Sequence, residues 1–414
     1  MDRTPEMFDV LIAGAGLVGG SLACALDRLG LRVALAEVTP VAKPDAVVAP
    51  PGFDDRNLAL ALATINALQA LGVRRLIETP GAPIRHIHVS SQGDFGTVRL
   101  DAPARGLDRF GETVVARMLG AALEARLRDL PNLTQFRPAR VASIETHADR
   151  VDAVLHTDEG ERRIAARLLV AADGTESSLR GLLGIGAQRH DYRQTLFVAV
   201  VQAERAPADT AYERFTPDGP VALLPLAGGK LGSVMTVNTD DAAAIDKLDD
   251  AGYLDALQQR FGWRCGRFTK VGKRSAYPLR KVVAERLIAP RAVLAGNAAQ
   301  TLHPIGAQGF NLGLRDALTL ADVLAEAIQR GEDIGAEPVL REHARRREID
   351  RDETSNGSDG LARLFSNRFA PLRAMRSAAM VAIDRVPSLS DGIVKAAMGF
   401  NGNVPTLARE AAHS

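Results

Sequence analysis

Hydrophobic residues come in two textures near the start of this chain. Phe8 to Ala13 is an almost unbroken apolar run, the pattern of a strand buried on both faces. Leu17 to Leu29 repeats its apolar residues at helical spacing and stops at Gly30, where a helix-closing glycine belongs. Leu31 to Glu37 is strand-like again, so the pattern predicts a β–turn–α–β unit. The uncharged stretch Val10 to Leu26 has the look of a membrane span or leader. It is rich in glycine, net acidic residues precede it and a second strand follows, so a buried strand, turn and helix is the expected reading.

The pattern continues with a Pro- and Ala-rich loop over 39–52 and a helix over Asn57 to Leu71 that Gly72 ends. Ile84 to Ser91 and Thr97 to Leu100 read as a hairpin across Gln92-Gly93-Asp94, and Ala116 to Leu130 as a helix. Val141 to Thr146, Val151 to Thr157 and Arg163 to Ala165 read as meander strands, and the apolar Arg167 to Ala172 runs into Asp173-Gly174. From Gln188 to Tyr277 the texture changes. Thr195 to Ala203, Val221 to Pro225 and Lys230 to Val237 are strand-like, the last two joined by a Gly228-Gly229 turn, and an amphipathic helix follows at Tyr253 to Phe261. This block predicts a mostly antiparallel sheet. Helical spacing resumes at Phe310 and lasts almost to the end, and the mixed charges from Arg341 to Glu353 read as a solvated helix face.

Length and composition narrow the classes. A chain of 414 residues makes two to three domains, and 46% hydrophobic with 24% charged residues is a soluble globular balance. A net charge of +1 leaves no electrostatic footprint for nucleic acid. Cys24 and Cys265 stand far apart without a CxxC or a His/Cys cluster, so no metal site is expected and a reducing cytoplasm fits.

The chemistry is carried by glycine-rich turns. Gly14-Ala15-Gly16-Leu17-Val18-Gly19 lies between a strand and a helix, which is the dinucleotide fingerprint. Its first glycine makes the tight turn, its second lets backbone approach a pyrophosphate, and its third lets helix and strand pack closely. Glu37 ends the second strand about 20 residues on, where a carboxylate bonds a ribose hydroxyl. Residues 296–318, GNAAQTLHPIGAQGFNLGLRDAL, repeat the arrangement: an apolar strand, a Pro- and Gly-rich turn and a helix start. Bare N–H groups and a positive dipole end suit a phosphate or an electron-rich ring. Two such turns nearly a chain length apart point to one long cofactor held at both ends, as a flavin dinucleotide is. Asn297 is placed for a ribityl hydroxyl, and the amides of Gly309 to Leu312, Asn311 included, for the flavin pyrimidine edge. Asp173-Gly174, followed by Ser177, Ser178 and Arg180, reads either as an ordinary capped strand-to-helix turn or as a third cofactor element, and Asp55-Arg56 either as a surface ion pair or as a flavin contact.

Together these segments resemble the flavoprotein aromatic hydroxylases of the p-hydroxybenzoate hydroxylase fold, over roughly Phe8 to Leu324 and with three motifs in the family's order. Within that family, DDRNLALALATINALQALGV at 54–73 is similar to the flavin-proximal segment of the ubiquinone-biosynthesis hydroxylases, and Gly296-Asn297-Ala298-Ala299-Gln300 and SNRFAPLRAMRSAAM at 366–380 resemble their 2-polyprenyl-6-methoxyphenol hydroxylase subgroup. Two positions depart from the wider pattern: Asn297 replaces a carboxylate, and Ala307 stands where glycine is usual.

The resemblance implies an α/β chain with a Rossmann-like FAD-binding domain (1–75, 101–187, 285–335), an interleaved, mostly antiparallel β-sheet substrate domain (76–100, 188–284) and a helical C-terminal region (336–414). It implies FAD held by Gly14, Gly16, Gly19, Glu37, Arg56, Arg117, Asp173, Gly174, Asn297, Pro304, Gly309, Asn311 and Leu312. It further implies NADPH or NADH as a transient electron donor, O2, and a flavin C4a-hydroperoxide attacked by a polyprenylated phenol. The cofactor carries the oxidising chemistry, so no side chain is named as catalytic; His303, before a proline, reads as structural. Another flavin oxidoreductase or epoxidase of the same fold, and a non-catalytic prenyl-binding escort, stay as alternatives. A prenylated substrate implies a cytoplasmic protein peripheral on a membrane, or a member of a ubiquinone-biosynthesis complex. Phe365 to Ile383, with Arg368, Arg373 and Arg376, is the stretch expected to lie on a membrane or dock a partner, with packing on the cofactor domain as the structural alternative.

Overall fold

A computed structural model describes residues 5–41, 56–303, 305, 308–367 and 369–409. The expectations at Asp55, Pro304, Gly306, Ala307, Arg368 and most of the 39–52 loop lie outside these residues.

The chain opens as β1 (Glu6–Ala13), α1 (Leu17–Asp27) and β2 (Val33–Ala36). Gly30 adopts φ +70°, the left-handed conformation that lets the chain turn back after α1. There follow β3 (Asn57–Ala61), α2 (Leu62–Ala70), β4 (Ala82–Ile84), β5 (His86–Ser91), β6 (Thr97–Asp101), β7 (Gly111–Val115) and α3 (Ala116–Arg128). The expected helix over 57–71 begins only at Leu62. Residues 57–61 pair antiparallel with β7, and the strand rich in Val and Thr that receives them overrides local helix propensity. Residues 82–84 also join β7, so the expected hairpin begins at His86.

Next come β8 (Leu133–Phe136), β9 (Ala139–Thr146), β10 (Val151–Thr157), β11 (Gly160–Ala171) and α4 (Ser178–Leu182). The two strands expected at 163–172 are one, because β11 pairs with β10 early and with β1 and β19 late. Then follow β12 (Ala187–Ala203), β13 (Thr210–Thr216), β14 (Gly219–Leu226), β15 (Lys230–Asn238), α5 (Thr239–Asp246), α6 (Asp250–Phe261), β16 (Phe268–Val271) and β17 (Ser275–Ala284). The chain closes with β18 (Ile288–Ala289), β19 (Ala292–Leu294), β20 (Gln300–Thr301), α7 (Gln308–Gln329), α8 (Glu337–Ser366), α9 (Ala370–Arg385), α10 (Pro387–Ala397) and α11 (Thr406–Arg409).

Among the described residues three sheets result. The first runs β18-β19-β11-β1-β2-β8, parallel from β19 to β8, with β9 and β10 added antiparallel on β11. Its strands are buried on both faces: α1, α3 and α7 cover one side through Leu22, Leu26, Leu123, Leu320 and Leu324. The second is β20-β17-β12-β15-β14-β13-β5-β6 with β16 beside β12, antiparallel apart from the β13–β5 pair. Helix α6 covers one of its faces through Tyr253, Leu257 and Phe261. The third is the small sheet β3-β7-β4, whose β4 and β7 lie against β14.

Two features of the C-terminal helices differ from expectation. His343, Arg347 and Asp350 are buried, not solvated, because α8 packs along α7. Helix α9 docks on β6 of the antiparallel sheet, not on the cofactor-side sheet. Asp94 in the β5–β6 turn receives Arg373 Nε at 2.9 Å and the Arg376 guanidinium. Asp384 accepts the Arg99 backbone N–H at 2.8 Å, which satisfies the exposed edge of β6.

Candidate functional site

The site forms where β1, β11 and β19 end and where α1 and α7 begin. At Gly14, φ +104°, a Cβ would stand 2.4 Å from the Ala172 carbonyl oxygen, so only glycine fits the turn against β11. At Gly19 a Cβ would stand 1.9 Å from the Gly14 carbonyl oxygen, which holds α1 close to the turn. At Gly16 a Cβ would meet nothing within 4 Å. The three glycines thus divide their work: two permit close packing and the middle one faces open space. Gly16 caps α1 with no side-chain bond, so the first N–H groups of the helix remain for an anion. Glu37, just after β2, accepts the Ala15 N–H at 2.6 Å and the Thr39 N–H at 2.8 Å, which ties the carboxylate to the same turn.

The second turn meets the first. After β19 the chain makes a short 3-10 turn, Gly296–Ala298, with Gly296 at φ +59°. A Cβ at Gly296 would press on Val18 at 3.0 Å, and one at Gly313 would press on Val18 at 2.8 Å and on the Gly296 Cα at 3.1 Å. The starts of α1 and α7 and the 296 turn are therefore in contact. Asp316 holds this corner. Its Oδ2 accepts the Gly296 N–H at 3.2 Å and Gln300 Nε2 at 2.6 Å, and its Oδ1 accepts Arg347 Nε at 2.8 Å. Gln300 Oε1 in turn accepts Arg351 Nε at 2.8 Å.

Asn297 is exposed while Gly296 and Ala298 on either side are buried. Gly309, in the first turn of α7, is exposed with nothing within 4 Å of its Cβ position. Leu312 is buried. Asn311 is buried too, and its side chain points away from this opening. Its Oδ1 accepts the Ala61 N–H at 3.0 Å and Thr64 Oγ1 at 2.8 Å, and its Nδ2 donates to the Ala59 carbonyl at 3.0 Å. It pins the start of α7 to β3 and α2.

Asp173 accepts Ser177 Oγ at 2.5 Å and the Leu179 N–H at 3.2 Å, so its carboxylate organises the start of α4. Gly174, φ +90°, has open space at its Cβ position. Buried Arg180 donates to the Thr175 carbonyl at 3.1 Å and to the Ala298 carbonyl at 3.0 Å, which clamps the Asp173-Gly174 loop to the 296 turn. Arg56 lies over the Tyr277 ring at 5.2 Å, and its carbonyl accepts the Ala116 N–H at 2.8 Å. Arg117 is the second residue of α3, half-buried, with Nη1 3.8 Å from Met118 Sδ. His303 is buried edge-on to Tyr192, ring centroids 4.8 Å apart, and its Nδ1 accepts the Ile305 N–H.

Gly14, Gly16, Gly19, Glu37, Asp173, Gly174, Asn297, Gly309 and Leu312 thus share one corner, and Arg56 and Arg117 share the β3–α3 edge next to it. Sequence reasoning missed Asp316, Arg347 and Asn57. Asp316 was visible inside the second motif, and Arg347 was masked by its charged neighbours. Asn57 stands beside Arg56, buried over the antiparallel sheet, with neither side-chain amide atom hydrogen-bonded among the described residues.

FAD fits this frame on three observations. Two helix starts face one opening, Gly16, Gly174 and Gly309 are vacant where a Cβ would go, and Asn297 stands exposed among buried neighbours. Known proteins agree. The FAD binding domain family matches residues 7–349. Ubiquinone hydroxylase UbiL of Rhodospirillum rubrum is 36% identical over 95% of this chain and 90% of its own length. 3-Demethoxyubiquinol 3-hydroxylase of Escherichia coli is 32% identical over 96% of this chain and 100% of its own. The solved structure of p-nitrophenol 4-monooxygenase PnpA from Pseudomonas putida DLL-E4 superposes with a TM-score of 0.77 at 20% identity, over 96% of this chain and 99% of that one, a likeness of fold. With both glycine turns inside the matched span, the chain belongs to the FAD binding domain family and has the fold of the FAD-dependent aromatic hydroxylases.

Proposed function

We propose that this protein is an FAD-dependent monooxygenase that hydroxylates the ring of a polyprenylated phenol in ubiquinone biosynthesis, with NADH or NADPH as a transient donor and O2 as oxidant. The observation that carries the reading is the meeting of two glycine turns, the side-chain-uncapped one at Gly16 and the one at Gly296, across Val18. The names of the relatives support ubiquinone chemistry.

In this reading Gly14, Gly16 and Gly19 bring the α1 start to the pyrophosphate and Glu37 takes the ribose. Asn297 bonds the ribityl chain, and the α7 start from Gly309 to Leu312 faces the ring, where its dipole stabilises negative charge by about 0.3–2 kcal/mol. Asn311 acts through position, holding α7 against β3. Arg56, Arg117 and the Asp173-Gly174 loop border the cofactor, and Pro304 is assigned to the ring side. Bound FAD supplies hydride acceptance and oxygen activation. The protein's part is to place the phenol and keep water out. Residues 1–75, 101–187 and 285–335 are assigned to the cofactor, 76–100 and 188–284 to the substrate, and 336–414 to the helical covering.

Among the described residues no helix is long and apolar enough to cross a membrane. Contact with a membrane is assigned to α9 and α10, which present Phe369, Met375, Val386, Leu389 and Ile393 to solvent.

The test is the purified protein's flavin spectrum, followed by product analysis with a prenylated phenol, NAD(P)H and O2. A tightly bound flavin and a product carrying one oxygen atom from O2 are expected. Nicotinamide oxidation with no oxygenated product from any prenylated phenol would defeat the reading.

A further inference from the structure

The antiparallel sheet has one sealed face and one open one. On the sealed face Val221, Leu223, Leu231, Met235 and Val237 are fully buried under α6. On the other, the strand register sets Val89, Glu213, Ala222 and Val234 side by side across β5, β13, β14 and β15. All four are only half-buried, although each strand is flanked on both sides. Partial exposure in the middle of a sheet means that this row lies accessible, with other elements standing around it and not directly on it.

The walls are identifiable. Asn57 lies over Gly232, the next position along β15, where a Cβ would stand 2.2 Å from its Nδ2. Asn57 opens β3, which Asn311 pins to the start of α7, so the wall on that side is the cofactor-bearing edge. On the far side Phe365 of α8 stacks on Phe215 with ring centroids 3.7 Å apart, and α9 closes over Val98 and Leu100. Arg56 over Tyr277 marks a further corner of the same face.

Within this apolar row Glu213 is the one ionisable side chain. Among the described residues it has neither a hydrogen-bond nor an ion-pair partner, and burial alone pushes its carboxyl up to about 7. Among the described residues the charges near this face have partners of their own: Arg376 pairs with Asp94 beyond Phe215, Glu112 of β7 with Arg74, and Arg56 lies over the Tyr277 ring. A carboxyl without a described partner among apolar neighbours is a costly arrangement, the kind kept where a ligand completes it.

We infer that Glu213 is a catalytic acid–base residue that bonds the ring hydroxyl of the phenol bound on this face. The inference rests on the hydroxylase reading above. The phenol O–H proton passes to a Glu213 oxygen while the oxygen's electron pair moves into the ring. A ring carbon ortho or para to that oxygen forms the new C–O bond to one atom of O2, then loses its own proton to restore aromaticity. Glu213 returns its proton to the phenol oxygen. The second oxygen atom leaves as water; a hydride from the nicotinamide, the proton released by the ring carbon and one proton from solvent supply the three hydrogens of the new hydroxyl and the water.

The test compares the FAD-loaded wild type with Glu213→Gln, using 2-farnesylphenol as probe. Wild-type hydroxylation should fall as the pH drops below about 7, because the base is then protonated. Glu213→Gln should hydroxylate about 100-fold more slowly, without that pH step, while keeping its flavin spectrum. Independently of turnover, infrared difference spectra on adding the phenol should show a change in the carboxyl band that Glu213→Gln lacks. If the wild type makes no oxygenated product but the band changes, the hydroxylase reading fails and Glu213 remains the phenol's partner. Wild-type-like turnover in Glu213→Gln, or no Glu213-dependent band, overturns the inference.

Discussion

Asp316 and Arg347 form an ion pair, Oδ1 to Nε 2.8 Å, with both side chains at most 1% exposed, and it is this pair that holds the second glycine turn in place. The other oxygen of Asp316 bonds the Gly296 N–H and Gln300. Arg347 also pairs with Asp350, so α7, α8 and the turn share one buried network. Removing one partner of a buried pair leaves a bare charge, at a cost of about 3–5 kcal/mol. Arg347→Met should therefore lower the melting temperature sharply and release FAD. The double variant Asp316→Asn, Arg347→Met should recover part of the stability, because no charge stays uncompensated on that carboxylate. Melting curves and flavin content of the two variants check this.

The two ends of the first turn should fail differently. An added methyl at Gly19 collides with the Gly14 carbonyl, so Gly19→Ala should damage the fold itself. At Gly16 the same methyl has room, so Gly16→Ala should fold normally. It should still bind FAD at least tenfold more weakly, since it fills the approach to the helix start. Apo-protein melting and FAD titration separate the two effects; equal apo-protein stability of both variants would contradict the packing argument.

These glycine turns were legible because their demands are local: a strand, a tight bend and a helix start are written in consecutive residues. Burial of Arg347 was not, because its surroundings come from α7 and from Asp316, 31 residues away, while its own neighbours Arg345, Arg346 and Glu348 are typical of a solvated face. Residues 57–61 hid their strand character because Asn-Leu-Ala-Leu-Ala suits a helix as well, and only pairing with β7 decides it. Glu213 was invisible for a related reason. Thr210 to Thr216 breaks alternation, with Ala211-Tyr212 and Glu213-Arg214 side by side, so no apolar face shows, and the role of Glu213 depends on lying in register with Ala222 and Val89.

His343 gives the fold an acid-sensitive point. It is fully buried on α8, and neither ring nitrogen has a hydrogen-bond partner among the described residues. Burial, aided by Arg347, Arg351 and Arg346 and opposed by Asp316, pulls its pKa from 6.5 down to about 4. The unfolded chain therefore binds this proton between pH 6.5 and 4 while the folded one does not. Stability from this residue is intact above about pH 6.5 and declines as the pH falls toward 4, by about 3 kcal/mol in all. His343→Leu should remove that part of the pH dependence and leave stability at pH 7.5 within about 1.5 kcal/mol of wild type. Melting temperatures across pH 4–7.5 test the sign: an unchanged slope in His343→Leu would assign the acid sensitivity elsewhere.

The C-terminal helices face two ways, and a membrane would need the outer one. Inward, Arg376 and Arg373 hold Asp94, and burial of this carboxyl is outweighed by their hydrogen bonds and that of Ser91, which keep it below the ordinary range. Outward, Met375, Phe369 and Leu389 are 68, 66 and 53% exposed. Burying one such side chain in a lipid interface contributes about 1.5–3 kcal/mol, so two of them dominate a weak peripheral affinity. Met375→Glu combined with Leu389→Glu touches neither Asp94 nor the sheet, and should leave melting and flavin content unchanged. Co-sedimentation with vesicles of phosphatidylethanolamine and phosphatidylglycerol should drop at least tenfold. If the double variant sediments like the wild type, this surface is not where the protein meets lipid. If neither sediments, a prenylated substrate must reach the sheet by some route other than membrane contact.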